Sequence, residues 1–127
     1  MFEVTVEETF ASGHALRGYK GKCENPHGHN YRVRVALVGK QLDSIGLLYD
    51  FKDVKQIINV TVERLDHKFI NDIPPFDTIN PSAENMAQYF FEESERLLAE
   101  RNPAHGVTIK AVTVWETDTT TATYTRD

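Results

Sequence analysis

Three of the five histidines, His14, His27 and His29, fall in one short stretch of the chain. In an extended segment side chains alternate, so His27 and His29 put both imidazoles on one face, with Cα atoms about 7 Å apart. His14 enters the same stretch from the preceding strand and can fold back across the gap. Three neutral imidazoles with no sulfur or carboxylate in the set suit zinc best, and they leave a fourth position open for water or substrate. A lone His-x-His is more often a surface pair in a Gly-rich loop. The third histidine, on the adjoining strand, brings the metal reading level with that one.

Cys23 is the only cysteine and stands four residues before His27, beside Lys22. Next to cations a thiol ionises more readily, which fits it for proton abstraction or nucleophilic attack. Cys-x3-His is also a possible ligand pair, although a filled His3Cys shell would leave no open coordination site. Asp66-His67 is a carboxylate-imidazole neighbour pair, able to relay a proton if the fold brings it near Cys23. A histidine closing a helix for dipole reasons is an equally good account of it. Glu116 shares parity with Val112 and Val114 on an otherwise apolar strand face. A carboxylate there wants a partner, and a planar guanidine-like edge would satisfy it bidentately. The plainer alternative is a solvated strand end. His105, among Pro103, Ala104 and Gly106, reads as an ordinary loop residue.

These groups need a frame, and 127 residues supply one domain, 1–127. With 40% hydrophobic and 26% charged residues, disordered, collagen-like and coiled-coil chains are excluded. Seven Phe, five Tyr and one Trp can fill a core. Apolar runs are short, and Glu3, Glu7 and Glu8 crowd the start, so neither a membrane span nor a signal peptide is expected, and a cytoplasmic protein follows by default. The net charge of −5 argues against a nucleic-acid surface covering the whole protein. Between His14 and Arg34, however, Arg17, Lys20, Lys22, Arg32 and Arg34 face only Glu24. That excess could steer an anionic small molecule, or could simply be a solvated basic loop.

Phe2, Val4, Val6 and Phe10 alternate with polar residues, as do Tyr31, Val33, Val35 and Leu37, and both stretches read as half-buried strands. Between them, 12–30 holds four glycines and no periodic pattern, which reads as a long functional loop. From Phe51 to Leu65 apolar residues recur at helical steps behind a capping Asp50. Ser82 looks like the cap of a second helix running to about Arg101. Val107–Trp115 and Thr121–Arg126 close the chain as two strands. The order ββααββ implies an α+β sandwich: an antiparallel four-stranded sheet with two helices on one face. One sheet face and both edge strands stay open, so subunits pairing edge to edge are expected.

Together these residues resemble the 6-pyruvoyl-tetrahydropterin synthase family, and more closely its bacterial branch, the 6-carboxy-tetrahydropterin synthases of the queuosine pathway. The likeness runs nearly end to end. It rests on Ser12-Gly13-His14, on Cys23-x3-His27-Gly28-His29 followed by Asn30-Tyr31, and on Gly46 with Asp50-Phe51. It continues through Leu65-Asp66-His67-Lys68, Asn80-Pro81-Ser82-Ala83-Glu84-Asn85 and Glu116-Thr117.

The resemblance implies the tunnelling fold, in which sheets of several subunits join into a barrel with active sites at subunit interfaces, as a hexamer built from two trimers. It implies His14, His27 and His29 as zinc ligands, Cys23 as general base, and Asp66 with His67 as relay partners. Glu116 would anchor the pterin edge, and Ser82, Ala83 and Glu84 would line the pterin pocket from a neighbouring subunit. The implied reaction turns 7,8-dihydroneopterin triphosphate into 6-carboxy-5,6,7,8-tetrahydropterin, acetaldehyde and triphosphate. Arg17, Lys20 and Lys22 are the cations the loop offers the triphosphate. Three residues between Cys23 and His27 match the carboxy-forming type, whereas pyruvoyl synthases have a longer gap. Glu24 beside Cys23 also resembles dual-function members that cleave the side chain to 6-hydroxymethyl-dihydropterin for folate synthesis.

Overall fold

The computed structural model describes residues 1–18, 21, 24–101 and 106–127. Its elements run β1 (Phe2–His14), β2 (His27–Gly39), α1 (Phe51–Leu65), a 3-10 turn (Ile70–Asp72), α2 (Ala83–Arg101), β3 (Thr108–Thr117) and β4 (Thr120–Thr125). The strands form one antiparallel sheet in the order β1-β2-β3-β4.

Alternation sets which face is buried. Val6 and Phe10 of β1, Tyr31, Val33, Val35 and Leu37 of β2, and Ile109, Val112 and Val114 of β3 join one apolar core. The β3 residues change parity because the register slips opposite Ala36 and Leu37, whose partners are Ala111 and Ile109, leaving Lys110 as an extra residue. The bulge keeps Ile109 in the core despite its odd number.

Both helices cover that same face. Asp50 Oδ1 accepts the Lys52 N–H at 2.9 Å and starts α1. The α1 stripe of Val54, Ile57, Ile58, Val62 and Leu65 packs toward β1. Ser82 Oγ accepts the Asn85 N–H at 3.1 Å and caps α2, whose Met86, Ala87, Phe90, Phe91 and Leu98 pack on β3 and β4. The opposite sheet face carries no helix: Arg32 and Arg34 lie over the Trp115 ring at 4.2 and 5.0 Å, and Glu7 pairs with Arg34 at 2.6 Å.

The first hairpin is longer than sequence alternation implies. Strand pairing continues from Phe10↔Tyr31 through Ser12↔His29 to His14↔His27, so both ends of the expected loop are ladder. Polar residues and glycines replace the apolar ones there, and the period of two survives without the hydrophobic signal that reveals it. Among the described residues no helix is long and apolar enough to cross a membrane.

Candidate metal centre and the groups around it

His14 follows Phe10 and Ser12 in parity, and His27 and His29 precede Tyr31 in theirs, so all three imidazoles extend the core face past the last apolar layer. Their ring centres lie 4.6, 5.2 and 4.8 Å apart with planes steeply inclined to one another. One ring nitrogen from each falls within 4.8 Å of the others. Tyr31, stacked on Phe10 at 5.1 Å, presents its ring to His14 and His29 at 5.8 and 5.6 Å and forms a rigid floor.

The tautomers follow from the partners. His14 Nδ1 is 2.8 Å from the Pro81 carbonyl and His27 Nδ1 is 2.7 Å from the Asn25 carbonyl. A carbonyl only accepts, so each Nδ1 carries a proton, and in a neutral ring that leaves Nε2 as the lone pair. Yet those two Nε2 atoms face each other at 3.0 Å. Two acceptors at that distance repel unless a positive centre stands between them. His29 Nε2 is buried and has no hydrogen-bond partner. Burial lowers the His14 pKa, against the pull of the Pro81 carbonyl and Glu116, and burial also lowers that of His29. Three imidazoles aimed at one point, two of them oriented by backbone carbonyls, could hold a metal ion.

Glu116 borders this centre. Trp115 pairs with Thr121 and Thr117 with Thr120, which leaves Glu116 as the extra residue of a second β3 bulge. Bulges next to sites re-aim side chains. Here the carboxylate lies 3.4 Å from His29 Nε2 and 4.0 Å from His14 Nε2, one quarter exposed. Ser82, Ala83 and Glu84 form the start of α2 immediately after Pro81, so within one chain they adjoin the Nδ1 side of His14.

Asp66 and His67 are elsewhere, on the outer edge of β1. Asp66 Oδ1 accepts the Ala11 N–H at 3.0 Å and lies 3.0 Å from His67 Nδ1. The Ala11 N–H holds the Asp66 carboxyl below its usual range, with His67 adding to the effect against desolvation. His67 adopts φ +57° while its N–H reaches the Ala11 carbonyl at 2.6 Å, and its imidazole is 81% exposed. The hollow beside the pair is lined by Thr9, Phe10, Ala11 and Asn30, and by none of the three clustered histidines.

Cys23, Lys22, Lys20 and His105 lie outside the described residues. The Arg17 guanidinium donates to the carbonyls of Ile79 at 3.1 Å, Phe76 at 2.8 Å and Asn71 at 3.4 Å. Those donors hold the 71–79 segment. Neither the Pro81 carbonyl nor the bulge at Glu116 was foreseeable, since backbone acceptors and pairing defects leave no residue signature.

The family described as 6-pyruvoyl tetrahydropterin synthase matches residues 3–127. The 6-carboxy-5,6,7,8-tetrahydropterin synthase of Haemophilus influenzae is 30% identical over 149 residues, spanning 98% of this chain and 99% of that one. The 6-pyruvoyl tetrahydrobiopterin synthase of Homo sapiens is 35% identical over 108 residues, 82% of this chain and 70% of that one. Among solved structures, the 6-pyruvoyl tetrahydropterin synthase of Caenorhabditis elegans superposes with a TM-score of 0.83 at 31% identity, covering 100% of this chain and 98% of that one.

Proposed function

The chain belongs to the 6-pyruvoyl tetrahydropterin synthase family, and from that membership we propose that it is a zinc-dependent lyase converting 7,8-dihydroneopterin triphosphate and water to 6-carboxy-5,6,7,8-tetrahydropterin, acetaldehyde and triphosphate, on the route to queuosine. The observation that carries the reading is the pair of facing Nε2 lone pairs of His14 and His27, with the unpartnered Nε2 of His29 beside them. A chain with no use for a cation would not keep that arrangement.

His14, His27 and His29 hold the zinc, which when bound supplies a Lewis acid for the substrate's side-chain oxygens. The remaining work belongs to the chain. Glu116 accepts the amino-pyrimidinone edge of the pterin with its two carboxylate oxygens, which fixes the ring relative to the histidines. Ser82, Ala83 and Glu84 line the same pocket. Cys23 as thiolate removes the carbon-bound proton, and Asp66 with His67 returns one, the carboxylate holding the imidazole tautomer. Lys22 and Lys20 meet the triphosphate.

An exposed dyad on a strand edge, away from the histidines, favours sites completed between copies of the chain. The outer edges of β1 and β4 have no strand partner among the described residues. Pairing them would build the barrel, as a homo-hexamer of two trimers in the cytoplasm.

Incubation of purified protein with dihydroneopterin triphosphate tests the reaction by its products. Acetaldehyde with the 6-carboxy pterin supports it. A pyruvoyl product, or glycolaldehyde with 6-hydroxymethyl-dihydropterin, moves the chain to the other branches of the family; Glu24, exposed and adjacent in sequence to Cys23, favours the last of these as the second reading.

A further inference from the structure

The outer edge of β1 is sealed between Ala11 and Arg17 by groups that belong to no strand. Every second residue is held. Ala11 meets the Asp66 carboxylate and the His67 N–H, at 3.0 and 2.6 Å. The Gly13 N–H donates to the Lys68 carbonyl at 3.0 Å. Beyond that point side chains take over. Asn71 accepts the Ala15 N–H at 2.9 Å and donates to the Ala15 carbonyl at 2.8 Å. Asn80 does the same for Arg17, at 2.8 and 2.9 Å. A carboxamide carries one acceptor and two donors, so it can replace the peptide group of a missing neighbour strand.

His14 stands between two of these anchors, and its Nδ1–H is received by Pro81, the residue next to Asn80. The Asn80 carbonyl is itself bonded by Asn85 Nδ2 at 2.9 Å, and Asn85 N–H by Ser82 Oγ. Asn80 therefore fixes in one stroke the chain that leaves His14 and the carbonyl that orients its ring.

We propose that Asn71 and Asn80 are positioning residues for the metal centre: they hold His14 so that its Nε2 lone pair meets those of His27 and His29. The proposal rests on reading the three histidines as a zinc site. Outer groups that orient a metal-bound imidazole typically carry about 10- to 100-fold in metal affinity, and these two amides act one step further back.

The test uses the full chain and zinc alone. In Asn80→Ala and Asn71→Ala, zinc affinity measured by chelator competition falls about 10-fold, and the imidazole nitrogen NMR signals of His14 shift from the single Nδ1–H tautomer toward a mixture. Asn80→Asp keeps the acceptor for the Arg17 N–H but sets a carboxylate against the Arg17 carbonyl, and stays weaker than wild type; it also serves if the alanine variant does not fold. Ile57→Val, a methylene deletion in the α1 core, lowers the melting temperature without changing zinc affinity or the His14 signals. Wild-type affinity and unchanged His14 signals in both asparagine variants overturn the proposal alone. A wild-type chain that binds no zinc overturns the metal reading and this proposal with it.

Discussion

His14 and His27 are register partners across the first hairpin, and their Nε2 atoms stand 3.0 Å apart with both Nδ1 protons already given to carbonyls. The native fold thus brings together two ring nitrogens that, in the neutral imidazoles, repel until a positive centre stands between them. Under the proposed function, zinc binding would act as folding energy.

Zinc at 100 times its Kd is expected to stabilise the chain by about 2.7 kcal/mol over the chelated form. His27→Ala abolishes most of that gain while relieving the repulsion, so the metal-free variant is no less stable than metal-free wild type. Thermal unfolding with and without chelator reads both effects. A wild-type melting temperature that ignores zinc would remove the metal from the account.

Cys23→Ala is expected to abolish turnover and leave zinc content at the wild-type level, because in the proposed reaction the thiol is the base and the three imidazoles alone supply the protein's ligands. Metal analysis beside product formation separates the roles. If zinc is lost together with activity, the sulfur is a ligand and the assignment of the base fails.

Glu116→Gln keeps the size of the side chain but removes the charge on which its proposed hydrogen bonds to the pterin edge would depend. Hydrogen bonds to a charged group contribute about 1.5–3 kcal/mol, so KM should rise about 10- to 100-fold, with zinc still bound. The carboxylate lies 3.4 Å from His29 Nε2, so a modest change in zinc affinity is compatible with this role. An unchanged KM is not.

Alternation and helical spacing revealed the sandwich because the buried faces are apolar where those periods run. They stopped at Phe10 and Tyr31, although the ladder continues to His14 and His27, since Ser12, Gly13, Gly28 and the histidines keep the period without the hydrophobicity. His14, His27 and His29 were readable as a set from their types and crowding. Pro81, Asn71 and Asn80 were not: their partners lie 67, 56 and 63 residues away, and only the fold brings them together. Arg17 carries a structural part that charge counting does not show, since part of its guanidinium donates to carbonyls.

Asp66 supplies a pH prediction whose sign follows from its partners. The Ala11 N–H, and after it His67, hold the folded carboxyl below its ordinary value, so in acid the unfolded chain takes up this proton first. The stability it contributes is complete above the unfolded pKa and drains away as pH falls through the folded one. Asp66→Asn retains an oxygen for the Ala11 N–H at every pH but has no charge to lose. The variant should therefore be less stable than wild type at pH 7, and the gap should shrink as pH falls through the lowered folded-state pKa of Asp66, as read from denaturant midpoints at neutral and acid pH. A gap of equal size at both would mean that the carboxylate does not act through its charge, and would leave His67 without the ionic partner on which its proposed proton return depends.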